Sequence, residues 1–168
     1  MQLGEFNRLG ATEAQAQIDR CLGVRRWVDE VVEERPYADL AGLTRQAKAS
    51  AENLDDAELA AALTRHPRIG ETPETSSADE HEASFSRAEQ SGVGADDVDL
   101  ADRLQIGNRD YEKRFDRVFI VRAAGRSGEQ ILAELDRRLR NDDETERRET
   151  VDALRDIAVL RLQQLVNE

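Results

Sequence analysis

This chain of 168 residues is poor in the residue types that usually announce chemistry. It has one cysteine, Cys21, so no intrachain disulfide can form and an oxidising compartment is not implied. Cys21 lies in an apolar helical stretch, where a cysteine reads as a small buried hydrophobe rather than a nucleophile. There are only two histidines, and neither HExxH nor CxxC spacing occurs. The run Asp79-Glu80-His81-Glu82 has ligand-type side chains, but no metal site is expected. Aromatic residues make up only 4% of the chain. Ala, Leu, Glu and Arg dominate instead, which favours helix over sheet. No run reaches the roughly 18 apolar residues of a membrane span, so no membrane partner is expected. Basic side chains are in the minority, 24 against 36 acidic, for a net charge of −12. Without a basic stripe, a nucleic-acid partner is not expected. A small anionic substrate remains open, because a few local cations can hold one. No glycine-rich phosphate loop and no Ser-His-Asp arrangement stands out. Residues 1–10 lack the apolar segment of a secretory leader, and Val166-Asn167-Glu168 is not a peroxisomal signal, so the expected location is cytoplasmic.

What is present is helical patterning. Charged residues reach 36%, above the usual level of about 25%. Helices tolerate this because one stripe can stay apolar while the rest is solvated. Thr12 with Gln15 reads as a capping box opening a helix through Ala14, Ile18, Cys21 and Leu22. A second apolar stretch, 27–32, stops before Pro36, and a third covers 40–51. Asp55 with Glu58 caps a helix that must end near Arg65 or His66, because Pro67 disfavours helical backbone before it. Residues 71–81 read as a loop and 82–91 as a helix broken by Gly92 and Gly94. Residues 100–115 are helical, as is a segment capped by Ser127 with Gln130. A long C-terminal helix covers about 144–166. The one strand-like run, 118–121, has no partner and reads as a short irregular or extended apolar segment. The expected fold is an all-α, single-domain helical bundle spanning 1–168.

Three groups could carry chemistry. His66 is held at a helix end by the following proline, and its ordinary pKa near neutrality suits a general acid or base. The alternative is a C-capping histidine. Arg161 falls on the same helical face as Leu154, Ile157 and Leu165 and so faces the core. Its guanidinium then needs a partner, either a protein carboxylate or an anionic ligand. In a helix over 82–91, Ser86 lies one turn from both Glu89 and Gln90, so a hydroxyl, a carboxylate and an amide could converge. The alternative is an exposed polar face.

Together these segments resemble the decarboxylase family that acts on 2-oxo-4-hydroxy-4-carboxy-5-ureidoimidazoline (OHCU). His66-Pro67-Arg68-Ile69-Gly70 is similar to its HPRIG signature, and Ser86 to Gln90 to its SxxEQ segment. Asn108 to Phe115 resembles NxxYxxRF, and Phe119-Ile120-Val121 followed by Gly125-Arg126-Ser127 resembles FIV...GRS. Arg138-Leu139-Arg140-Asn141 resembles the RLxN turn, and 157–162 the terminal IxxLRL helix. Asp116 departs from the pattern, standing where the family often has glycine. The resemblance implies an all-α, cofactor-free and metal-free homodimer that decarboxylates OHCU to (S)-allantoin in urate catabolism. It implies catalytic roles for His66, Glu89 and Arg161, and substrate binding by Pro67, Ser86, Gln90 and the segment Phe119, Ile120 and Val121. Two readings from other classes remain: a non-catalytic helical ligand-binding or interaction protein, and a hydrolase of a related ureide, which would need an activated water.

Overall fold

A computed structural model describes residues 1–66, 68–70 and 98–168. All regular structure among these residues is helical. Eight helices follow in order: α1 (Leu3–Arg8), α2 (Ala11–Leu22), α3 (Arg25–Glu33), α4 (Leu40–Ser50), α5 (Asp56–Thr64), α6 (Val98–Phe115), α7 (Gly128–Arg138) and α8 (Asp143–Leu165). No helix among the described residues is long and apolar enough to cross a membrane. The residues fall into two compact units, Met1–Arg65 with Val151–Glu168, and His66–Thr150, so α8 contributes to both.

In the first unit, α2, α3 and α4 bury the expected apolar positions, among them Ile18, Cys21, Leu22, Trp27, Val31 and Leu43. Cys21 is buried and takes part in no disulfide. The Trp27 indole N–H donates to the Ala47 carbonyl at 2.8 Å, which satisfies the polar edge of the largest core side chain. The predicted Asp55–Glu58 capping box is formed, each side chain accepting from the other residue's backbone N–H. Arg26 reaches across from α3 to grip both Glu58 oxygens, at 2.8 and 3.0 Å, and also donates to the Ser50 and Asn53 carbonyls. One guanidinium thus ties the end of α4 to the start of α5. Its hydrogen bond holds the Glu58 carboxyl below the ordinary carboxylate range.

Two features differ from the sequence reading. Thr12 does not cap α2. The helix starts at Ala11 with Gly10 as its cap, because the extended Gly10 backbone presents its carbonyl to the Ala14 N–H at 2.9 Å. Gln15 instead donates to Asp29 at 2.8 Å. Helix α1 was not anticipated, since six residues are too few to show a period.

In the second unit, Leu104, Tyr111, Phe115, Phe119, Ile131 and Leu135 form the centre of the core. Gly107 lets α7 come close: a Cβ there would meet Leu135 Cδ2 at 2.5 Å. The predicted Ser127–Gln130 capping box opens α7. Residues 118–123 are neither helix nor strand, as the sequence reading held for 118–121. Among the described residues the only β-bridge pairs Gln2 with Asn167, outside this segment. Just before it, Asp116 has φ 51°, the left-handed region. That conformation explains why a glycine can stand at this position and why aspartate, among the L residues that best tolerate it, is also accommodated. We expect Asp116→Gly to keep the stability of the parent within about 0.5 kcal/mol, since relief of the left-handed cost is offset by glycine's unfolded entropy. Asp116→Val should lose about 1–2 kcal/mol, because a β-branched side chain is strained at positive φ. Urea unfolding of the three proteins checks both.

Candidate active site

Helix α5 ends at its C-cap residue Arg65, and His66 follows directly, its side chain buried. The end of this turn is clamped onto α6. The Asn108 side-chain amide donates to the Ile69 carbonyl at 3.0 Å, and both are buried. Arg68 forms a two-pronged ion pair with Glu112, one arm at 2.9 Å. Gly70 then turns with φ 85°. Asn108 and Glu112 lie four residues apart on one face of α6, so a single helical stripe fixes the segment that follows His66.

Phe119, Ile120 and Val121 are all buried. Their anchor is Arg138, at the end of α7 and 2% exposed. Its Nη1 donates to the Ile120 carbonyl at 2.6 Å, and the guanidinium carbon lies 5.0 Å from the centre of the Phe119 ring. The charge is balanced by Glu146 on α8, which is fully buried. Arg138 Nε reaches Glu146 Oε1 at 2.9 Å, Nη2 donates to the same oxygen, and Nη2 also donates to Thr150 Oγ1 at 3.1 Å. The Tyr111 hydroxyl donates to Glu146 Oε1, and the Asn141 amide donates to Oε2 at 2.8 Å. Burial, followed by this hydrogen bond to a carboxylate, pushes the Tyr111 phenol well above its ordinary pKa. Phe115 and Phe119 stack against Tyr111 at 4.9 and 5.2 Å.

Arg161 lies on α8 and is 2% exposed, which bears out its placement on the core-facing side. Leu154 and Ile157 on its face are buried as expected, and so are Val151, Ala158 and Leu162, whereas Leu165 is only half-buried and Val166 is buried. Pro67, Ser86, Glu89 and Gln90 lie outside the described residues, as do the loop expected over 71–81, the helix over 82–91 and the acidic run 79–82.

Sequence reasoning gave no role to Asn108, Tyr111, Glu112, Arg138 or Glu146. One signal was available. Arg138 stands three residues after Leu135 and seven after Ile131, on the apolar stripe of α7, the pattern that singled out Arg161. Nothing local marks Glu146 as its partner.

Beside the buried pair, Arg137 is half-exposed and bridges Glu134, at 2.7 Å, to Glu149. Its hydrogen bonds hold both carboxyls below the ordinary carboxylate range. A depressed folded pKa contributes stability that is present above the unfolded value, about 4.3 for glutamate, and is lost as pH falls through the folded value. We therefore expect the unfolding free energy to fall between pH 6 and pH 3, and to fall less in Arg137→Gln, which has less to lose. The difference should be small because these groups are partly solvated. Urea unfolding at the two pH values measures it.

Known proteins resemble this chain in sequence and in fold. The sequence model for OHCU decarboxylase matches residues 7–163. A uric acid degradation bifunctional protein from Bacillus sp. (strain TB-90) is 25% identical over the whole chain, which spans 33% of that protein's length. A 2-oxo-4-hydroxy-4-carboxy-5-ureidoimidazoline decarboxylase from Haloferax volcanii is 28% identical over 81% of the chain and 79% of the relative. Among solved structures, the crystal structure of an OHCU decarboxylase in the presence of (S)-allantoin superposes with a TM-score of 0.70 at 21% identity, covering 88% of this chain and 94% of that one.

Proposed function

The chain belongs to the OHCU decarboxylase family, and from that premise we propose that it removes CO2 from OHCU to give (S)-allantoin, as a cytoplasmic homodimer of single 1–168 domains that needs no cofactor or metal. The substrate makes such an economy workable. Its carboxylate sits on a carbon next to a ring C=N bond. When the C–CO2 bond breaks, the electron pair moves into that imine, so the substrate is its own electron sink. What the protein contributes is orientation, proton handling and choice of the face that is protonated.

In this reading His66 is the general base toward the ring hydroxyl, and Pro67 fixes its backbone. Glu89 and Gln90 bind ureido or ring nitrogens, Ser86 adds a hydrogen bond, and Arg161 binds a substrate oxygen through its fork of donors. Backbone groups of Phe119, Ile120 and Val121 also meet the ureide. The observation that carries the reading is the clamp on the HPRIG turn. Asn108 and Glu112, both from the NxxYxxRF segment, hold Ile69 and Arg68. Two separate stretches of family-like sequence are thereby explained by one fixed presentation of the chain after His66. A general base gains from such fixing because proton transfer demands hydrogen-bond reach of its target.

The experiment is circular dichroism of allantoin formed when the protein is added to OHCU generated in situ from urate. Rapid appearance of the (S) signal is expected. A racemic product at the uncatalysed rate would sink the proposal. His66→Asn should lower the rate by about 10²–10⁴-fold, the usual contribution of a general base, and a loss within about tenfold would remove that role. Arg161→Ala should give a folded protein with little turnover. Loss of stability together with activity would instead assign this arginine to the core, where breaking a buried pair is strongly destabilising.

A further inference from the structure

We propose that Arg138 is a positioning residue for this reaction: backed by buried Glu146, it fixes the Ile120 carbonyl and the Phe119 ring and thereby sets the backbone that meets the ureide. The inference rests on the reading in which residues 119–121 contact the substrate.

Residues 118–123 have neither helical nor ladder hydrogen bonds to set their conformation. A buried backbone without such a pattern must be oriented by side chains. Arg138 is placed for that task. One plane of the guanidinium holds the Ile120 carbonyl at 2.6 Å, and its face lies over the ring of the preceding residue, 5.0 Å from the centroid. Two consecutive residues are thus fixed by one rigid group. The fork geometry matters, because lysine offers a point charge on a flexible stem and cannot hold carbonyl, carboxylate and ring at once.

The surrounding groups are arranged to hold the guanidinium still. Glu146 Oε1 accepts from two of its nitrogens, and Thr150 Oγ1 accepts from Nη2. Glu146 is held in turn by Tyr111 and Asn141. Four elements therefore converge on one cation: α6 through Tyr111, α7 through Arg138 itself, the turn before α8 through Asn141, and α8 through Glu146 and Thr150. A buried ion pair is a poor way to gain stability, since a well-packed apolar pair of similar volume usually does as well or better. Its distinctive property is a fixed direction, and here that direction ends on the Ile120 carbonyl.

This distinction supplies the test. The double variant Arg138→Met/Glu146→Leu replaces the pair with apolar side chains and should stay folded with a lowered melting temperature, because the Tyr111 hydroxyl and the Ile120 carbonyl lose their partners. Its kcat should fall by about 100-fold, the scale of a misplacement of roughly 1 Å, and the enantiomeric excess of the allantoin should fall with it. A purely structural pair would leave the stereochemistry of the product unmoved. If the double variant does not fold, Arg138→Lys decides the matter. It retains the charge and should lose at least tenfold in kcat, with some loss of enantiomeric excess, while remaining folded by circular dichroism. Folded variants with wild-type kcat and enantiomeric excess overturn the positioning role alone, provided that the wild type makes (S)-allantoin. A wild-type protein without turnover overturns this inference and the proposed function together.

Discussion

Arg138 carries a full positive charge into the apolar centre of the second unit, and much of that unit is arranged around keeping it there. A buried guanidinium is tolerated only when its charge is balanced and its donors are used. Glu146 supplies the charge, and Thr150 and the Ile120 carbonyl take further donors. Glu146 then needs its own acceptor capacity filled, which Tyr111 and Asn141 do. Asn141 in turn accepts from Arg114 through its carbonyl, at 2.8 Å. Each satisfied group creates a demand on the next, so the polar network reaches from α6 through the α7–α8 turn. The residues of the RLxN and NxxYxxRF segments occur together because they answer these demands.

The same demands show how much of the molecule could be read from its sequence. Caps that operate within four residues were legible. Asp55 with Glu58 and Ser127 with Gln130 both form as the pattern indicates, because the partners are local and the geometry follows from backbone alone. The amphipathic stripes of α2, α3 and α4 were legible for a similar reason. So was the irregular nature of 118–121, since a lone apolar run without a partner cannot form a sheet. Thr12 misled because a good capping residue competed with Gly10, and a glycine cap leaves little trace in sequence. The positive φ of Asp116 was visible only as a departure from glycine, with no sign of its cause.

The site divides along the same line. The buried position of Arg161 followed from helical periodicity, and that of Arg138 would have followed from the identical argument applied to α7. Their partners would not. Asn108 and Ile69 are 39 residues apart, and Tyr111 and Glu146 are 35 apart. Nothing in a single sequence records such pairings. Periodicity shows that a charge is buried, whereas the identity of its counter-charge is a property of the folded chain.

This division bears on the chemistry the family performs. When a substrate provides its own electron sink, as in the proposed reaction, the catalyst needs few reactive side chains. What remains difficult is holding a small polar ring in one orientation while a proton is delivered to one face. Helices present side chains well, but their backbone groups are consumed internally, so backbone contacts to a ligand require an interruption. An interruption buried in a helical protein has no ladder to define it and must be defined by a side chain with directional donors. Arginine meets that requirement better than any other residue, and its burial obliges the carboxylate, phenol and amide that surround it here. Under the proposed role of residues 119–121, the charged interior of the second unit serves to fix irregular backbone, and the arginine at position 138 does the work that a strand ladder would otherwise do.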